Sequence, residues 1–273
     1  MDAFALRLVL SFLLGGATVA LFTTIAERAG SRLGGLLLSF PVKVTISLVF
    51  IALTEGVAFA SDAAISVPAG MGVNVVFLGA TALLVQRMRP WPAMIGALAA
   101  WAVAGLAVVL WLPHSMAWSL AAWLAPTLAV LFLLRKARGD RKATTVRPFS
   151  WLDLASRAAG AGTVVALSIV IAHYAGPILG GLATVFPSGW ITTMVILTRH
   201  HGPAFTAATV RVMTAGSVAP VVFGLSVALL DPEWGVLGGT VGAMGFAGVG
   251  SLTVGLGLRA RDRKVLSESE VSA

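Results

Sequence analysis

Nine stretches of about 20 mostly apolar residues run along this chain, and short segments between them hold most of its charge. They cover approximately 4–25, 33–54, 63–86, 91–111, 116–135, 153–173, 178–198, 204–229 and 234–257. A bilayer core of about 30 Å is crossed by about 20 helical residues, and its backbone must bond to itself there. The stretches therefore read as transmembrane helices. Only 11% of the 273 residues are charged, against about 25% in soluble domains. That is too little to cover a soluble globule of this size, and it equally excludes a disordered chain or a coiled coil. No cysteine is present, which excludes disulfides, thiol catalysis and zinc–thiolate sites. The net charge of +8 would suggest nucleic acid in a soluble protein. Here the arginines fall in loops, where they are a topology signal, and no nucleic-acid partner is expected.

The loops set an orientation. The segment Lys136 to Ser150 carries Lys136, Arg138, Arg141, Lys142 and Arg147 and is expected on the cytoplasmic side. Alternating outward, Arg28 and Arg32, Arg87 and Arg89, Arg199, and the tail from Arg259 to Lys264 fall on that same side. Glu55 and Asp62, His114, and Asp231 with Glu233 fall outside. The N-terminus is then outside and the C-terminus inside. The tail Ser267-Glu268-Ser269-Glu270 reads as a short polar segment without structure.

The chain also contains two copies of one unit. Residues 25–35 read IAERAGSRLGG and residues 171–181 read IAHYAGPILGG. At this offset 25–59 and 171–205 share 14 identities in 35 positions. Phe40-Pro41 meets Phe186-Pro187, Gly56 meets Gly202, and Ala69-Gly70 meets Ala215-Gly216. Low-complexity apolar sequence gives chance matches of Leu, Ala and Val, but not a shared GG-L-x3-FP block with a matching glycine fifteen residues past the proline. Each copy holds four spans, and the span at about 116–135 has no counterpart. A four-span unit returns to its starting side, so one linking helix inverts the second copy. The expected fold is an all-α integral membrane protein with nine transmembrane helices in a 4+1+4 inverted-topology repeat. Its divisions are 1–112, the linking helix and basic loop 113–152, the inverted copy 153–258, and the tail 259–273.

Inverted repeats make two similar half-pathways and favour transport. The prolines point to where a site would lie. Proline removes a backbone donor, crowds the preceding turn and pushes the residue before it out of α geometry. Both Phe-Pro pairs lie about 11 Å into their spans, so the second and seventh helices are expected to be broken, each second half presenting free N–H groups and a positive dipole end. Gly34, Gly35, Phe40 and Pro41, with Gly180, Gly181, Phe186 and Pro187, form the expected breaks and hinges.

Lys43 follows Pro41 at about mid-bilayer, where an ammonium costs several kcal/mol unless it is paired or wetted. Arg211 lies about 12 Å from the cytoplasmic face and snorkels more easily. No acidic residue lies deep in any span. Two cations, two half-helix N-termini and the hydroxyls of Thr45, Ser47, Ser188, Thr192 and Thr193 suit an anion. Ser188 is placed like a helix cap. Trp190 either lines the cavity, stacks on the cation or packs. His173 stands at the place of Glu27, and adjacent His200 and His201 do not share a helix face, so no metal site is read. H-E-x-x-H, G-x-S-x-G and P-loop motifs are absent. No enzyme activity and no cofactor are expected.

The GG-L-x3-FP block in a four-span unit resembles the GlpM-type small inner-membrane proteins. The residues that carry the resemblance are Gly34, Gly35, Leu36, Phe40, Pro41 and Gly56, and Gly180, Gly181, Leu182, Phe186, Pro187 and Gly202. It implies a bacterial inner membrane and a link to envelope polysaccharide export, and it carries over no substrate or catalytic residue. Lys43 is not part of that pattern. The expected function is transport, or channel conduction, of a small anion or an anionic lipid-linked or sugar substrate at the repeat interface. The protein would act in the lipid bilayer as a monomer or homodimer. The alternative is a non-transporting accessory or assembly protein for envelope or exopolysaccharide production.

Overall fold

A computed structural model of the chain describes residues 3–28, 41–135, 137 and 151–271. Among the described residues the fold is all-helical, with no strand. The helices are α1 (Ala3–Arg28), α2 (Val42–Glu55), α3 (Val57–Ile65), α4 (Val67–Leu84), α5 (Pro90–Trp111), α6 (Met116–Leu133), α7 (Trp151–Thr184), α8 (Ser188–Gly216) and α9 (Val218–Val271). Gly34, Gly35, Phe40 and most of the basic loop lie outside the described residues.

Six helical stretches are long and apolar enough to cross a membrane by length and composition: 3–22, 57–84, 90–111, 116–133, 154–199 and 201–253. Their outer faces carry large apolar side chains, among them Ile95, Val103, Leu110, Leu237 and Val241, each more than three-fifths exposed. In water such a surface would drive aggregation; in lipid it costs nothing. Several stretches are broken where the sequence removes helical geometry. Gly176, Gly202 and Gly235 stand at φ 86, 82 and 69 inside α7, α8 and α9. Gly176 and Gly202 each precede a proline, which supplies no backbone N–H to the turn before it. Pro187 separates α7 from α8.

Close helix contacts are made through small residues, as expected in lipid, where packing replaces hydrophobic drive. A Cβ at Gly162 of α7 would stand 2.4 Å from the Phe12 carbonyl of α1. One at Gly72 of α4 would stand 2.2 Å from the Ala122 carbonyl of α6, and one at Gly181 of α7 2.1 Å from the Ala63 carbonyl of α3. Gly181, expected to permit close helix approach or hinge motion, stands at a close approach to α3. Two apolar cores result. One joins Leu48, Ile51, Val67, Ile169 and Phe223; the other joins Phe77, Leu78, Met94, Met194 and Val210.

Three expectations are corrected. The tail is not a structureless segment, since α9 runs to Val271; the stretch from Lys264 to Val271 contains no Gly or Pro to stop it. The constant register fails after Gly56 and Gly202. Nine residues separate Gly56 from Ser66, and fourteen separate Gly202 from Ser217. Gly70 therefore lies in the first turn of α4, whereas Gly216 is the last residue of α8. Finally, Asp231, expected in an outer loop, lies within α9 and is 2% exposed.

Candidate functional site

The site grows out of the break at Pro187. A proline cannot donate to the carbonyl one turn earlier, so α7 ends at Thr184 and α8 restarts at Ser188 with Pro187 at its N-cap, φ −81 and ψ 36. Pro41 stands at the start of α2 with φ −81 and ψ 45. No side chain caps either start. Ser188 is therefore not the expected cap. It is already helical, one residue too late for its hydroxyl to cap, and its main-chain N–H donates to the Phe186 carbonyl at 2.9 Å.

The break leaves the Val185 and Phe186 carbonyls at the negative end of α7 without regular helical partners. Side chains from the first half of the chain reach them. Asn74 of α4, 2% exposed, donates its amide to the Val185 carbonyl at 2.6 Å. Its own oxygen accepts from the Trp101 indole of α5 at 2.9 Å. The Trp101 ring meets Phe186 edge-on, with centroids 5.1 Å apart. Lys43 of α2, half-buried, donates its ammonium to the Phe186 carbonyl. The cation is thus received by the carbonyl end of one half-helix, not gathered with N–H groups at the start of the other. The sense is physically sound, because a helix C-terminus carries partial negative charge and offsets part of the cost of a half-buried ammonium.

The other expected site residues divide. Ser47 lies one turn beyond Lys43 on the same face of α2, fully buried, its hydroxyl without a hydrogen-bond partner. Thr45 donates to the Pro41 carbonyl at 3.0 Å, and Thr193 to the Gly189 carbonyl at 2.8 Å; both serve their own helix, as membrane hydroxyls commonly do. The Thr192 side chain lies outside the described residues. Trp190 is wedged against both apolar cores, which is the packing role. Arg211 donates to the Arg135 carbonyl just beyond α6 at 3.4 Å, so the structure gives the two expected site cations separate partners. Asn74 and Trp101 were not legible as site residues. The available signal was an amide inside an apolar span, which must find a partner.

A further polar contact joins the two halves of the chain. Glu55, at the end of α2, meets His173 of α7 at 2.7 Å. Its carboxylate is the acceptor when the ring nitrogen carries a proton.

Residues 8–113 match the model of a protein family of unknown function, DUF3147. No curated protein matches the chain, and no solved structure matches it.

Proposed function

We propose that this chain is a nine-span transport protein of a bacterial inner membrane, with its N-terminus outside and C-terminus cytoplasmic. It carries a small anion or an anionic lipid-linked or sugar substrate, is not an enzyme, and its halves are inverted copies. The observation that carries the reading is the seat of Lys43. This residue stands two positions after the proline of one break and bonds the residue just before the proline of the other. The segments around Pro41 and Pro187 are thus joined, and the meeting of two such segments is where an inverted repeat would hold its substrate.

Further support comes from the backbone. Pro41 and Pro187 share nearly the same dihedrals, and so do Gly56 (φ 98, ψ 164) and Gly202 (φ 82, ψ 173). The family model covers residues 8–113, close to one proposed unit. Dividing the long helices at Gly176, Gly202 and Gly235 favours the nine-span count. An ammonium has three donors, and the Phe186 carbonyl takes one, leaving Lys43, half-buried, able to engage an anion once the break opens.

The test is anion flux into proteoliposomes with a panel of inorganic anions, carboxylates and sugar phosphates. Saturable uptake lost in Lys43→Gln is expected. Uptake unchanged in that variant would discard the site, and no flux of any anion from folded protein would discard the transport reading for small anions.

One observation favours a second reading, a non-transporting accessory protein for envelope or exopolysaccharide production. Lys43 is satisfied by a carbonyl, and a cavity of about 550 Å³ is lined by other residues. A static, sealed Lys43–Phe186 contact in folded protein without flux would be its signature.

A further inference from the structure

The cavity beside α3 and α9 has its own chemistry. It is lined by Val57, Ala58 and Ile65 of the α2–α3 region and by Ala228 and Pro232 of α9, with three polar residues among them: Ser61, Asp62 and Asp231. Its volume of about 550 Å³ falls in the range of small-molecule sites, about 300–1,000 Å³. Asp231 is 2% exposed, and its Oδ1 has no hydrogen-bond partner. Ser61, 7% exposed, also has an unpartnered hydroxyl. A buried carboxyl without a donor costs free energy that packing alone does not return. The side chain is accommodated at Gly239, where a Cβ would stand 2.1 Å from the Asp231 carboxyl oxygen. Only a glycine there leaves room for that side chain. Two carboxylates and no lysine or arginine line the cavity. Groups of three or more His, Cys, Asp or Glu that could hold a metal ion are absent among the described residues.

We propose that this cavity is a binding site for a compact organic cation, an ammonium group held by Asp231 with Ser61 and Asp62 and flanked by apolar walls. A bare metal ion would leave most of this volume empty and find too few oxygen ligands. An ammonium carried on a small carbon frame satisfies the carboxylate, receives the Ser61 oxygen as an acceptor and covers Val57, Ile65 and Pro232. The same chemistry is offered by a free amine and by an aminophospholipid headgroup. The site stands apart from the Lys43 contact and does not depend on the transport reading.

The experiment is calorimetric titration of the full chain in detergent with ethanolamine and with tetramethylammonium, using ethylene glycol as the uncharged control. A parallel arm places the protein in nanodiscs of phosphatidylethanolamine or phosphatidylglycerol and reads lipid retained on the protein by native mass spectrometry. Saturable binding of an ammonium probe that falls at least about tenfold in Asp231→Asn is expected, with no binding of the glycol. Retention of phosphatidylethanolamine alone, lost in Asp231→Asn, upholds the site and assigns the lipid headgroup as its source. Absence of both, or binding undiminished in Asp231→Asn, overturns the proposal. Should Asp231→Asn fail to fold, Asp62→Asn decides. Asp62 is exposed, and affinity unchanged there overturns the proposal, whereas a loss of about threefold upholds it.

Discussion

The ammonium of Lys43, two residues after Pro41 at the start of α2, donates to the main-chain carbonyl of Phe186, so it meets the helix end left open by Pro187. Neither residue explains the other alone. The carbonyl needs a donor because proline has removed the regular one, and the lysine needs an acceptor because its ammonium is half-buried among apolar side chains. Lys43→Met leaves the carbonyl with only the Ser188 N–H and is expected to cost about 1.5–3 kcal/mol. The check is the thermal midpoint of the purified protein in detergent; a midpoint equal to that of the parent would show that the bond contributes nothing.

Asn74 holds two partners at once, the Val185 carbonyl and the Trp101 indole. Asn74→Ala should cost about 2–4 kcal/mol, and Trp101→Phe about 1 kcal/mol, since it breaks one bond and keeps an aromatic ring against Phe186. Because the residues share one network, the double variant should cost less than the two losses added. Strict additivity in a denaturation series would contradict the network.

Glycines of one helix-break region should respond with opposite signs. Gly181→Ala drives a methyl into the Ala63 carbonyl 2.1 Å away and should destabilise by about 1–3 kcal/mol. Gly189→Ala meets nothing within 4 Å and sits in α8 at an exposed position, so it should stabilise by about 0.5–1 kcal/mol. Melting temperatures that move in the same direction for both would refute this account of Gly181.

Gly56 separates space from conformation. A Cβ there would touch nothing, yet φ is 98. Gly56→Ala is expected to cost about 1–3 kcal/mol through backbone strain alone, and a neutral stability measurement would show that the α2–α3 turn relaxes to another conformation.

The Glu55–His173 contact is short but open to its surroundings, the side chains being 19% and 41% exposed. Exposed pairs contribute little, so Glu55→Gln should cost less than about 1 kcal/mol. A larger loss in chemical denaturation would mean that the pair anchors α2 on α7.

Much of the fold was legible beforehand. Segments that can cross a bilayer are set by their own length and apolarity, and the break at Pro187 follows from the geometry of a single residue. Ser188 was legible as part of the break but misjudged as a cap, because whether the proline or the next residue takes the N-cap position depends on the backbone angle at Pro187. Asp231 was misplaced for a related reason. Its neighbours Pro232, Glu233 and Gly235 read as a loop, and only the approach of Gly239 shows that its carboxyl is tucked inside.

By itself the sequence determined that this chain lives in a membrane as helices, where those helices are interrupted, and that one segment recurs with its GG-L-x3-FP block. These are local properties, fixed by residues adjacent in the chain. Tertiary structure alone decided which carbonyl Lys43 meets, 143 residues away, which one Asn74 meets, 111 residues away, and which buried carboxyl is left facing a cavity. Such pairings depend on how whole helices approach one another. In lipid that approach is governed by small residues and shape, not by any pattern of charge or hydrophobicity that can be read along the chain.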